Sequence, residues 1–471
     1  MSRLIKSSLG SFVSRVGLGI TEIVGIIYVA DVAGASTLGT YALFVAVYVL
    51  ALLLSSLGIW EATVKRIAEG KLQGEFLVAE FLIRLVLSLP IVLVLVLFRD
   101  TVSAYIGSPV AVPYLIVTLF AVMFAETISS GLHGEQRVGR AEFTLFLSGV
   151  TKLVCWVVFL WQGYGAAGLF AGLVLSKVVY IVVGAQFLTI RPRRPTREQF
   201  ASLFEFSRYS WMSTVRNQAW LWTDTIVLGF FVASELIGVY ELTWRISAAF
   251  FLVSSALSAT LYANVDRMIR NDGLDSVKRA VNESLVYSGI MAIPGVVGGL
   301  VVARSLLLAL GQQYTVGYWV FVILIFARLA HSYEEIFAKV INAFDRPDLM
   351  FRANVIYVVL NLVGNVVAIA AVGWVGAAIA TAASMAIRTA LSYRYLRSLV
   401  DITIPKREIL SEVCAAILMG IALFWFTRGG TLSFVETVSA VVGGAAIYAI
   451  LVLVFIGRVR TRVKSLVATV I

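Results

Sequence analysis

Charge is scarce in this chain. Only 14% of its 471 residues are Asp, Glu, Lys or Arg, while 60% are hydrophobic; soluble globular domains carry about 25% charged residues. That balance excludes an aqueous globular fold and places the chain in a bilayer. Cysteine is limited to Cys155 and Cys414, both inside long apolar runs, so neither a disulfide framework nor a cysteine metal site is expected. The two histidines, His133 and His331, stand apart without ligand spacing, and packing roles are expected for both. No Gly-x-x-x-x-Gly-Lys-Ser/Thr loop occurs, which argues against ATP-driven transport by this chain alone. Long external loops are missing as well: the turns around 162–165 and 371–374 leave no room for an extramembrane catalytic domain.

What fills the chain instead is a series of about fourteen apolar runs of roughly 20 residues, the length a helix needs to cross a membrane. They fall near 9–29, 40–60, 76–98, 111–131, 143–161, 166–188, 208–230, 238–261, 284–303, 316–341, 353–372, 374–396, 408–427 and 434–456. The first reads as a permanent span rather than a cleaved signal peptide, because Arg15 and Glu22 interrupt it and no small-residue cleavage site follows a short core. The net charge of +11 is distributed by side. With both termini in the cytoplasm, about 26 basic residues fall in inside segments, among them Lys65, Arg66, Arg137, Arg267, Arg270, Arg346, Arg458, Arg462 and Lys464. Only Arg99, Arg304 and Arg428 fall outside. This positive-inside bias supports an even number of spans and speaks against nucleic acid as the reason for the basic balance.

The middle of the chain repeats its beginning. An apolar segment carrying Arg15 and Glu22 leads through a short polar patch to Leu38-Gly39-Thr40-Tyr41; another carrying Arg216 and Asp224 leads to Ile237-Gly238-Val239-Tyr240. Gly134-Glu135-Gln136-Arg137 pairs with Ala343-Phe344-Asp345-Arg346, and Tyr164-Gly165-Ala166-Ala167 with Val375-Gly376-Ala377-Ala378. A duplicated unit with an even number of spans predicts two lobes of like orientation about a central cavity. The expected organisation is an all-α integral membrane protein: an N-terminal six-helix lobe over 1–190, a basic linker over 191–207, a second six-helix lobe over 208–400, and two further helices with a basic tail over 401–471. The linker, rich in arginine and interrupted by Pro192 and Pro195, is read as a topology-setting loop, with binding of anionic lipid or nucleic acid as the alternative.

Charges within the spans are the candidate functional groups, since each costs at least about 2.5 kcal/mol at mid-membrane unless it faces a partner or a wet cavity. Arg15 and Glu22 lie two turns apart on one helical face, and Arg216 and Asp224 fall within roughly 80° of each other. They either line the cavity or form inter-helix ion pairs. Arg84 lies one turn from Glu80, and Glu126 stands without a neighbour of opposite charge in its own span. Lys177, Lys339 and Arg388, taken as near span ends, are candidates for snorkelling. Basic groups outnumber acidic ones in this set, which tilts the expected cavity towards an anion such as a diphosphate. The Gly295–Gly299 run after Pro294 is a candidate bend.

The two six-span lobes, the extra C-terminal pair, the Leu38–Tyr41 and Ile237–Tyr240 signatures, the Asp224–Gly229 run and the Gly134–Arg137 turn resemble the polysaccharide (O-antigen type) flippases. These belong to the multidrug, oligosaccharidyl-lipid and polysaccharide exporter superfamily. The resemblance implies a MATE-like fold in the cell (plasma or inner) membrane. It also implies alternating-access transport of an oligosaccharide linked to undecaprenyl or dolichyl diphosphate, delivered to the outer leaflet. It assigns headgroup binding to Arg15, Arg84, Arg216 and Arg245, and ion coupling or gating to Glu22, Glu126 and Asp224. No cofactor or metal is expected beyond H+ or Na+ as the coupling ion. Membrane lipids are expected partners, with polymerase or glycosyltransferase partners a further expectation, and nucleic acid is not. The alternatives are a cation-coupled multidrug exporter of the same superfamily and a non-transporting scaffold of an envelope-assembly complex. A membrane enzyme would need the external loop that is missing.

Overall fold

The computed structural model describes residues 2–249, 273–428, 432–457, 459 and 460, and every regular element among them is helical. Two compact units divide at Leu242 and Thr243.

The first unit opens with α1 (Ser2–Ser56), which breaks at Gly34, where φ 78° and ψ 173° leave the helical region. A residue without Cβ takes up that conformation at no steric cost. The apolar stretch Ser14–Ser56 is 43 residues long, about twice what one crossing needs, so the first two expected spans are joined by a glycine elbow. A second break at Leu57 and Gly58, both at positive φ, sets off α2 (Ile59–Ala68). Then come α3 (Gln73–Leu97), the short α4 (Arg99–Ile106), α5 (Ala111–Gly134), α6 (Val138–Trp161), α7 (Gly165–Phe187), α8 (Arg197–Leu228) and the start of α9 (Ser234–Ala249). α8 begins 11 residues before the apolar run expected at 208, because Thr196 and Gln199 form a capping box that nucleates it. Trp156 is the hub of the packing: its ring meets Tyr41 edge-on at 5.1 Å, and its Nε1 donates to the Leu169 carbonyl at 3.1 Å. Gly25 of α1 and Gly172 of α7 lie directly on it, so a Cβ at either would come within 3.0 Å of the ring. Close approach at small residues is what holds helices together where lipid offers no hydrophobic driving force.

The second unit contains α10 (Leu274–Ala309), α11 (Tyr318–Ala343), α12 (Pro347–Val372), α13 (Val375–Leu399), α14 (Lys406–Thr427) and α15 (Phe434–Phe455). α10 remains helical through Pro294 and the glycines that follow it. One apolar core joins α10, α11, α12 and α13 through Val281, Phe337, Met350 and Leu396. A second joins α10, α14 and α15 through Ile293, Met419, Leu423 and Tyr448.

Eleven helices among the described residues are long and apolar enough to cross a membrane. The expected fourteen include the two halves of α1, the polar-rich α8 and the run at 238–261, whose second half lies outside the described residues. Arg267, Arg270, Arg458, Arg462 and Lys464 lie outside them too. The chain is an all-helical, multi-pass membrane protein.

Candidate functional site

In the first unit, α1, α2, α3, α5, α6, α7 and α8 enclose a cavity of about 370 Å³. Its wall is built around Arg84 of α3, which is 1% exposed. One helical turn sets Glu80 on the same face, and the Arg84 Nε donates to Glu80 Oε1 at 3.1 Å. From α5, Glu126 accepts from Arg84 Nη1, and Ser130 donates its hydroxyl to Glu80 Oε2. One guanidinium is therefore shared by two carboxylates, and its Nη2 is buried without a partner among the described residues.

The lining carries more acid than base. Glu61, Glu126 and Glu142 line it together with Arg84 and Lys177, alongside His133, Trp60 and Tyr180. The sequence led us to expect an excess of basic groups and a cavity tilted towards an anion, but the charges pair across helices that composition does not bring together. Lys177 is midway along α7 rather than at a span end, and it makes no ion pair among the described residues. His133 is not simply a packing residue either: it lines the cavity and meets the Trp60 ring edge-on at 5.3 Å.

The residues singled out from sequence are distributed as follows. Arg84 and Glu126 line the cavity together. Arg15 and Glu22 share one face of α1, turned to α6, where Arg15 Nη2 meets Glu142 Oε1 and Lys152 Nζ meets Glu22 Oε1, each at 2.5 Å. These two bridges of opposite polarity clamp α1 to α6, and Glu142 carries the first of them to the cavity wall. Asp224 is 6% exposed on α8 and accepts from the Tyr240 hydroxyl of α9. Arg216 is half-buried on α8, on the stretch whose Thr214 and Gln218 line the cavity. Arg245 is half-buried on α9, in the second unit. In that unit Arg388, also expected near a span end, is buried in mid-helix with its Nη2 2.7 Å from Glu334 Oε1, and Lys339 pairs with Glu335 at 2.7 Å. Cys155 and Cys414 are free thiols.

Glu61, Glu142, Lys177 and His133 are the lining groups that sequence reasoning did not assign. The available signal was position: Lys177 and Glu142 are charges inside apolar helices, and such charges face the bundle interior.

Residues 33–318 match the family described as Polysaccharide biosynthesis protein. The chain is 29% identical over 470 residues to the probable low-salt glycan biosynthesis flippase Agl15 of Haloferax volcanii, covering 99% of both chains. It is 30% identical over 479 aligned positions to the probable flippase AglR of the same organism, again covering 99% of both. Among solved structures, the lipid II flippase MurJ in an inward closed conformation superposes with a TM-score of 0.80, covering 97% of this chain and 99% of its own at 15% identity. An inward-facing multidrug resistance MATE transporter superposes with a TM-score of 0.68, covering 82% of this chain and 94% of its own at 15% identity. These two establish the fold, a helical architecture like that of MurJ and the MATE transporter. By its matched residues and its full-length relatives, the chain belongs to the polysaccharide biosynthesis protein family.

Proposed function

We propose that this protein is a flippase that carries a lipid-diphosphate-linked oligosaccharide from the cytoplasmic to the outer leaflet by alternating access of two six-span lobes, in the synthesis of a surface polysaccharide or glycan. The observation that carries this reading is the end-to-end relationship to two proteins named as probable flippases. The polar cavity agrees with it. Lys177 and the spare Nη2 of Arg84 are donors available to a diphosphate, while Glu61, Glu126 and His133 offer partners to sugar hydroxyls. The carboxylates temper the hold on the anion, which a carrier that must release its cargo requires. Trp60 and Tyr180 add faces on which a pyranose ring stacks. The lipid carrier is a polyprenyl or dolichyl diphosphate, the location is the cell membrane with both termini cytoplasmic, and H+ or Na+ drives the cycle. Polymerases or glycosyltransferases acting on the same glycan are its working partners.

A second reading, a cation-coupled multidrug exporter, is favoured by one observation: three carboxylates against two cations in the lining. Proteoliposomes separate the two. The flippase reading expects wild type to expose a labelled polyprenyl-diphosphate oligosaccharide to an external enzyme, and Lys177→Gln to do so more slowly while remaining folded. Failure across a panel of saccharides, with efflux of a cationic dye under an imposed Na+ or H+ gradient, would replace it by the exporter reading.

A further inference from the structure

Glu412 is the acid for which the readings above have no use. It sits on α14 with 0% of its surface exposed, and both carboxyl oxygens are buried without a hydrogen-bond partner among the described residues. One turn further along the helix lie Ala415 and Ala416, part of the apolar core that α14 shares with α10 and α15. Among the described residues, the helices packed against it bring no charge to the carboxyl, only phenol hydroxyls. On α10 the nearest point is Gly289, where a built Cβ would lie 2.1 Å from Glu412 Oε2 and 3.0 Å from the Tyr333 hydroxyl of α11. From α15 comes Tyr448, whose own hydroxyl is buried and has no hydrogen-bond partner among the described residues. On α14 itself the titratable neighbour is Glu408, one turn earlier and half-buried.

An ionised carboxylate in that position would have, among the described residues, no counter-ion, no donor within hydrogen-bond distance, and a like charge at i,i−4. Each of these disfavours the charged form. We propose that Glu412 is a proton-binding site, occupied as the neutral acid in this conformation, whose proton leaves only when α14 parts from α10 at Gly289 and water or a cation reaches the carboxyl. Proton binding and close packing of α14 on α10 are then one event. Glu408, between Glu412 and the Lys406 end of the helix, is the relay by which the proton arrives. The acids assigned from sequence differ in kind, since Glu22, Glu126 and Asp224 each receive a hydrogen bond, from Lys152, Arg84 and Tyr240. The site is defined without reference to the transported substrate and stands if that proposal fails.

Infrared spectroscopy of the full chain in lipid bilayers at neutral pH tests it. The wild type should show a protonated-carboxyl band that Glu412→Gln lacks and Glu408→Gln retains; the same band in wild type and Glu412→Gln would overturn the proposal. A second measurement needs no variant. Dicyclohexylcarbodiimide reacts with a protonated carboxyl: the acid O–H adds across a C=N bond, the proton passes to nitrogen, and the O-acylisourea rearranges to a stable N-acylurea with nothing leaving. Peptide mapping should find this adduct at Glu412 and find it decline as the pH is raised. No adduct at Glu412 at any pH would equally overturn the assignment.

Discussion

Gly39 and Gly238 lie backbone to backbone in the first unit. A Cβ built on Gly39 would stand 1.7 Å from the Ser234 carbonyl oxygen, and one built on Gly238 would stand 1.9 Å from that of Ala35. The contact is reciprocal: each glycine nitrogen is within about 3 Å of the other's missing Cβ. Ser36 and Ser234 hydroxyls meet beside it at 3.2 Å. The two signatures that mark the internal repeat thus pack on each other, as Ala35-x-x-x-Gly39 against Ser234-x-x-x-Gly238.

Alanine at either glycine should therefore cost about 1–3 kcal/mol, the range for overpacking. Thermal unfolding in detergent would read it, and Gly39→Ala/Gly238→Ala should lose less than the sum of the singles, because helices already forced apart accept the second methyl. Two mild, additive effects would mean that the close approach is absent from the populated state.

Arg84 supports a different test. Removing it alone leaves Glu80 and Glu126 facing each other near a buried site, and breaking a buried pair from one side costs about 3–5 kcal/mol. Arg84→Gln should unfold more readily than Arg84→Gln/Glu80→Gln, in which a carboxylate is neutralised along with the cation. A double variant worse than the single would show that the ion cluster is not the unit of stability.

Lys177 should matter to binding and not to folding. A charge-assisted hydrogen bond contributes about 1.5–3 kcal/mol, so Lys177→Gln should weaken binding of a diphosphate-linked saccharide by roughly 10- to 100-fold. Lys177→Arg should retain most of it, with the unfolding midpoint unchanged in both. Equal binding by wild type and Lys177→Gln would remove this residue from the anion site.

Much of this fold was legible because hydrocarbon imposes one rule on every crossing segment: about 20 apolar residues in a helix. The charged cavity was not legible, because its partners are set by packing between helices distant in sequence. Arg84 meets Glu126 across 42 positions, Lys152 meets Glu22 across 130, and Arg15 meets Glu142 across 127. A single sequence shows that Arg15 and Glu22 share a face, which is borne out by their common turn towards α6. It does not show which helix that face meets. Lys177 was legible as a central charge: the expected span 166–188 nearly matches the helix Gly165–Phe187, and both put it in the middle, so reading it as near a span end was at odds with those bounds.

The repeat is recorded in bond patterns as well as letters. In Gly134–Arg137 the Gln136 φ is 57°, and in Ala343–Arg346 the Asp345 φ is 54°. Gln136 N–H bonds the His133 carbonyl and Arg137 N–H that of Leu132; Asp345 N–H bonds Asn342 and Arg346 N–H bonds Ile341 in the same way. Both turns are Schellman caps closing a helix on a left-handed residue, where glycine is the usual occupant. Gln136 and Asp345 are exposed, so replacing either by glycine removes no packing. The left-handed strain of a side chain is about 1–2 kcal/mol, and glycine's larger unfolded-state entropy offsets part of the relief. Gln136→Gly should thus raise stability by up to about 1 kcal/mol. Asp345→Gly should raise it less, because a short polar side chain already tolerates this region. Gln136→Val, β-branched at positive φ, should lower it. If thermal unfolding showed the glycine variants less stable than wild type, the left-handed caps would not be the conformation that ends these two helices.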